Sequence, residues 1–210
     1  MANFFQIDSP FMRIMARLFD MISLNIVFLL CCLPVITIGA SCTALHTVVL
    51  KTAAGVEPYV VKSFFEAFRK NFRQSTVSWI IMLIAGGFLY VDSLMAKHLG
   101  TGGLFMKLLL GIASILCFLG ALYIFPIQAR YDNTIHSNFK NALLLAVRHF
   151  PKTILLAFTV LVPAGLLLYG ATEVFVLMIV FFLLTGASVI AGIQDRIIWK
   201  IFRNYEEANS

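Results

Sequence analysis

Five stretches of this chain carry no Asp, Glu, Lys or Arg: residues 21–50, 74–91, 108–129, 153–172 and 174–194. Each is near or above the roughly 18–20 residues that an α-helix needs to cross the hydrocarbon core of a bilayer. The mean hydropathy is +0.93, and a globular core of this size would not need so much apolar surface. The pattern predicts an all-α protein, a polytopic transmembrane helical bundle. So many crossings in 210 residues leave no room for a separate soluble domain, so 1–210 reads as a single integral membrane domain.

The positions of the charges give the orientation. Arg13 and Arg17 precede the first run, and Lys51, Lys62, Arg69, Lys70 and Arg73 follow it. Lys97 and Lys107 lie between the second and third runs, and Arg130, Lys140, Arg148 and Lys152 between the third and fourth. Arg196, Lys200 and Arg203 follow the last run, while only Glu173 separates the fourth from the fifth. Cytoplasmic loops collect Lys and Arg. The first run holds 30 residues, about 45 Å as one helix, long for one crossing and short for two. Pro34 and Gly39 sit in its middle, a helix breaker and a permissive residue that together suit a turn. Folding back there gives six crossings, with fourteen of the sixteen basic residues and both termini inside. A single crossing would move only the N-terminus to the other side. Six crossings are the reading adopted, with 21–54 as a Pro/Gly-turn hairpin.

Ahead of that hairpin, Asp8, Ser9 and Pro10 form a helix-start pattern. Phe11, Ile14, Met15 and Leu18 then share one face and Arg13, Arg17 and Asp20 another, so 1–20 reads as an interfacial helix. The four cysteines lie within apolar runs without C-x-x-C spacing, which suits packing residues better than a disulfide framework or a zinc site.

Two basic loops look alike. Aligning Ala67 with Ala146 brings Arg69 onto Arg148, and with a one-residue gap Phe72 meets Phe150 and Ser75 meets Thr153. Each reads as an amphipathic cytoplasmic helix followed by a pair of crossings, in units 58–129 and 134–205. Such helices can simply rest on anionic lipids. They can also dock a partner, and Phe64, Phe65, Phe68, Arg69, Phe72, Arg73, Arg148 and Phe150 are the candidate docking residues.

Little in the sequence points to chemistry. There is no P-loop, H-E-x-x-H or G-x-S-x-G motif, and His46, His98, His136 and His149 are scattered. No catalytic residue, metal, cofactor or nucleic-acid partner is expected. Asn25 and His46 fall inside the first run at similar depth, and a hydrogen bond between them would lock the hairpin; lining a substrate path is the alternative. No run contains an acid at mid-membrane, which counts against proton- or ion-coupled transport.

The order Asn25, then Leu33-Pro34-Val35-Ile36-Thr37-Ile38-Gly39-Ala40, then Phe68-Arg69-Lys70-Asn71-Phe72-Arg73-Gln74-Ser75 resembles the YesL-like family of bacterial membrane proteins. The resemblance runs from about Phe11 to Tyr205. It assigns no residue a catalytic role. Members are typically encoded beside carbohydrate ABC importers of Gram-positive bacteria, so the resemblance implies an accessory subunit in the plasma membrane, in contact with ABC permease subunits. A small transporter or channel, as a homo-oligomer for instance, and a membrane enzyme acting on lipid or glycan carriers are the alternatives.

Overall fold

The computed structural model describes residues 10–56, 59–96 and 103–209. Within them the chain forms eight α-helices and no strand: α1 (Pro10–Cys32), α2 (Ile38–Ala53), α3 (Val60–Ala96), α4 (Gly103–Arg130), α5 (Ile135–Arg148), α6 (Phe150–Tyr169), α7 (Thr172–Phe181) and α8 (Ala187–Asn209). A π-helical segment, Phe182–Gly186, joins α7 to α8. Among the described residues, six stretches of helix are long and apolar enough to cross a membrane. Large apolar side chains such as Ile84, Phe88, Leu108, Ile115, Leu161 and Leu183 are more than half exposed. Surfaces of this kind suit hydrocarbon, where helices satisfy every backbone polar group internally. The chain is an all-α polytopic bundle. The helix-start residues Asp8 and Ser9, and His98 with Lys97, lie outside the described residues.

The first apolar run does fold back on itself. α1 ends at Cys32, a 3₁₀ turn covers Val35–Thr37, and α2 follows at once. Pro34 takes an extended conformation (φ −76°, ψ 120°), which ends α1. The Thr37 hydroxyl lies 2.6 Å from the Cys31 carbonyl oxygen and 2.7 Å from that of Pro34, absorbing acceptors that the broken helix leaves open. Gly39 has a different role from the one expected. It lies inside α2, and a Cβ there would come within 2.5 Å of the Ser75 carbonyl oxygen and 2.6 Å of the Trp79 Cβ. The glycine is required by close approach of α2 to α3, and the turn itself is made by Pro34 and Thr37.

The stretch read as a separate interfacial helix runs without a break into the first apolar run as α1. Likewise, the first basic amphipathic stretch and the second apolar run form one continuous helix, the 37-residue α3. The second basic stretch is separate: α5 stops at Arg148, and His149 (φ −110°, ψ 41°) divides it from α6. Pro151 explains the difference, because it has no N–H to give the preceding turn and suits the first turn of a new helix. Arg73 occupies the matching place in α3 and imposes no break. The two units still agree in their packing. Ala67 and Ala146 are both buried. Ser75 is hydrogen-bonded to Thr43 at 2.8 Å, and its counterpart Thr153 to Tyr123 at 2.9 Å.

Two apolar clusters lie inside the bundle. One gathers residues of α2, α4, α5, α6 and α8 around Tyr123, Leu156, Ile198 and Phe202. The other joins α1, α2, α3 and α8 around Leu24, Leu45, Phe64 and Ala191.

Candidate functional site

Two buried polar side chains of the first apolar run, Asn25 and His46, reach α8 or the segment before it. His46 and Asp195 are 149 residues apart in sequence, yet the His46 Nδ1 lies 2.9 and 3.0 Å from the two oxygens of the Asp195 carboxylate. Asp195 is fully buried and His46 is 8% exposed. Removing a carboxylate from water costs several kcal/mol unless a partner compensates it. The imidazole is that partner, with its Nδ1 within hydrogen-bond distance of both carboxylate oxygens. This pair replaces the expected bond between Asn25 and His46. The charge-free run ends at Gln194, one residue before this buried Asp in the same helix, so an acid lies inside the bundle beside the last run.

Asn25 is spent elsewhere in α8's neighbourhood. Its side-chain nitrogen donates to the carbonyl oxygens of Phe182 and Leu183, both at 2.9 Å. Its side-chain oxygen accepts from the backbone N–H of Ala187 at 3.0 Å and of Ser188 at 3.4 Å. In a regular helix the Ala187 N–H would bond to the Leu183 carbonyl. The π segment opens that ladder, and the fully buried amide of Asn25 is inserted into the gap as a surrogate peptide group. A mid-helix opening in an apolar environment is tolerated because one side chain from α1 fills both sides of it. The Ser188 hydroxyl adds a contact to the Met21 carbonyl oxygen at 3.0 Å.

The candidate docking residues separate into two groups. Phe64 is fully buried in the apolar cluster between α1, α2 and α3, so it is a core residue and cannot receive a partner. Phe68 stacks on Phe64 with ring centroids 6.2 Å apart and is half-buried. Phe65 (42% exposed), Arg69, Phe72 (40% exposed) and Arg73 are open, and their spacing places them along one side of α3. Arg148 and Phe150 are exposed at the far end of the bundle's second unit.

There, α4, α5 and α8 enclose a cleft of about 770 Å³ that sequence reasoning missed. Its walls include Ile127, Leu144, Leu145, Val147 and Phe202, and its polar groups include Tyr131, Asn133, Asn141, Arg148, Tyr205 and Glu206. Arg130 binds both oxygens of Glu206 at 3.0–3.1 Å, and the Tyr131 hydroxyl donates to the same carboxylate at 3.1 Å. Burial, together with Glu206 beside it, pushes the Tyr131 phenol up to about 12, so it stays a neutral donor. Arg148 has no carboxylate partner among the described residues; its guanidinium sits 5.2 Å over the ring of Tyr205. Partial burial first, and then Lys152 and Arg148, lower the pKa of His149, which keeps its ring neutral near pH 7. Glu206 is thus neutralised within the cleft, and Arg148 is its uncompensated charge. No cluster of three or more His, Cys, Asp or Glu that could hold a metal occurs among the described residues.

Comparison with known proteins assigns no activity to the chain. Residues 21–93, which contain the α1–α2 hairpin and most of α3, match the family described as "Protein of unknown function, DUF624". The chain is 26% identical over 183 residues to the uncharacterized protein YesL of Bacillus subtilis (strain 168), covering 87% of this chain and 83% of that one. No solved structure matches. The hairpin match and the similarity over most of its length make the chain similar to YesL, a protein to which no activity is assigned.

Proposed function

We propose that this integral membrane protein is a non-enzymatic accessory subunit of a bacterial carbohydrate ABC importer, lying in the cell membrane with both termini cytoplasmic. The observation that carries the proposal is the open face of α3. Phe65, Arg69, Phe72 and Arg73 stand exposed on the basic stretch of a helix whose opposite side is anchored by the buried Phe64, Ala67 and Asn71. Aromatic and arginine side chains at helical spacing on a rigid support are what a helix-in-groove or helix-on-helix contact uses. The sugar-importer partner follows from the family resemblance, and permease subunits are the components that share the bilayer with this chain.

Purification of the tagged protein from its native host in a mild detergent is expected to recover permease subunits. Changing Phe65, Arg69, Phe72 and Arg73 together to Ala should remove them while leaving the thermal midpoint of the protein within a few degrees, since exposed substitutions change stability by only about 0.5 kcal/mol each. Failure of the wild-type protein to retain any permease would overturn the proposal. The buried His46–Asp195 pair favours a second reading, a small proton-coupled transporter, because ionisable groups inside membrane bundles recur in proton relays. Substrate flux into proteoliposomes that contain only this protein would select it.

A further inference from the structure

We infer that the cleft between α4, α5 and α8 is a binding site for one anionic phospholipid. It adds a ligand to the accessory role proposed above and does not depend on that role. Charge complementarity and the character of the walls identify the occupant. Glu206 is tied up by Arg130 and Tyr131, which leaves Arg148 as the lining cation without a carboxylate partner among the described residues. Arg148 is held over the Tyr205 ring, so its fork of N–H donors is oriented before a ligand arrives, and that fork matches the oxygens of a phosphate. Asn141 lines the same cleft and offers further hydrogen bonds to a headgroup.

The rest of the cleft is apolar, and it is open on one side to more apolar surface. Leu144 (57% exposed) and Val147 (61%) line it, and Phe150 (55%) adjoins them at the start of a membrane-spanning helix. A soluble anion would leave these side chains uncovered, whereas an acyl chain covers them. Tyr131, Tyr205 and Trp199 surround the same end of the bundle, and amphipathic rings of this kind concentrate at the level of lipid headgroups. A cleft of about 770 Å³ accommodates a headgroup with the upper part of its chains.

The test uses the full chain in detergent, with native mass spectrometry counting retained lipid as phosphatidylglycerol or phosphatidylcholine is titrated in. One phosphatidylglycerol should be retained preferentially. Arg148→Gln should weaken its retention roughly tenfold, the usual effect of losing a charge-assisted hydrogen bond. Arg69→Gln, which removes an equal charge on α3, should leave it unchanged. Leu144→Glu should abolish it without altering the fold, because Leu144 is exposed. Equal retention of the two lipids, or equal losses in Arg148→Gln and Arg69→Gln, overturns the site. Competition by glycerol 3-phosphate as effective as by the lipid would show a soluble-phosphate site instead, and displacement by an acidic peptide but not by lipid would show a protein-docking site; either result also overturns it.

Discussion

Asp195→Leu will lower the stability of the bundle by about 3–5 kcal/mol, the range seen when one partner of a buried ion pair is removed. The loss follows from what remains: His46 is left in an enclosed polar site with no partner for its Nδ1, and the link between α2 and α8 is gone. His46→Leu should cost a similar amount, because it leaves the fully buried Asp195 without compensation. The double variant His46→Leu/Asp195→Leu should be markedly less destabilised than the sum of the two single ones, since apolar replacement of both members of a buried pair is often nearly neutral. Thermal unfolding of the four proteins in one detergent measures the coupling. Additive losses in the double variant would mean that the two side chains do not act as a pair.

Asn25→Leu is expected to destabilise by about 2–4 kcal/mol, through a different route. Leucine has nearly the same size, so the cost arises from four backbone groups around the π segment, the carbonyls of Phe182 and Leu183 and the N–H groups of Ala187 and Ser188, losing their side-chain partner. Asn25→Asp keeps the acceptor for Ala187 and Ser188 but removes the donor to Phe182 and Leu183, and it adds a buried negative charge. It should therefore be no more stable than Asn25→Leu, although it is the more conservative change in shape. Hydrogen exchange at Ala187 and Ser188 gives the local readout: both amides should be protected in the wild type and should exchange faster in either variant. Unchanged protection would show that Asn25 does not close the ladder.

The sequence carried the architecture because crossings leave long charge-free runs, and the Pro34 break was visible as an interruption in the longest of them. The helix boundaries were less legible. Nothing at Arg73 and Gln74 marks the passage from a polar helix to an apolar one, so α3 runs through it, whereas Pro151 marks the corresponding break before α6. The interior was hardest to read. Asp195 looked like the first residue outside a run, because a charge-based boundary cannot tell a buried acid from an exposed one. Its partner His46 lies in another helix far away in sequence, and no local pattern joins the two. Asn25 was singled out, but its partners are backbone groups 157–163 residues away, created by a π segment that no residue type announces. Phe64 and Phe65 are neighbours of the same type, yet one is core and the other surface. Their fates depend on which side of α3 meets α1 and α2, and the pattern of four phenylalanines in that region did not decide it.

On the proposed topology, both basic stretches face one side of the membrane while the turn between α6 and α7 faces the other. Single cysteines placed at Arg69, Arg148 and Glu173, in a background with the four native cysteines changed to Ala, test it directly in intact cells. A membrane-impermeant maleimide is expected to label position 173 at once, and positions 69 and 148 only after permeabilisation. Labelling at 69 or 148 in intact cells, or none at 173, would contradict the account.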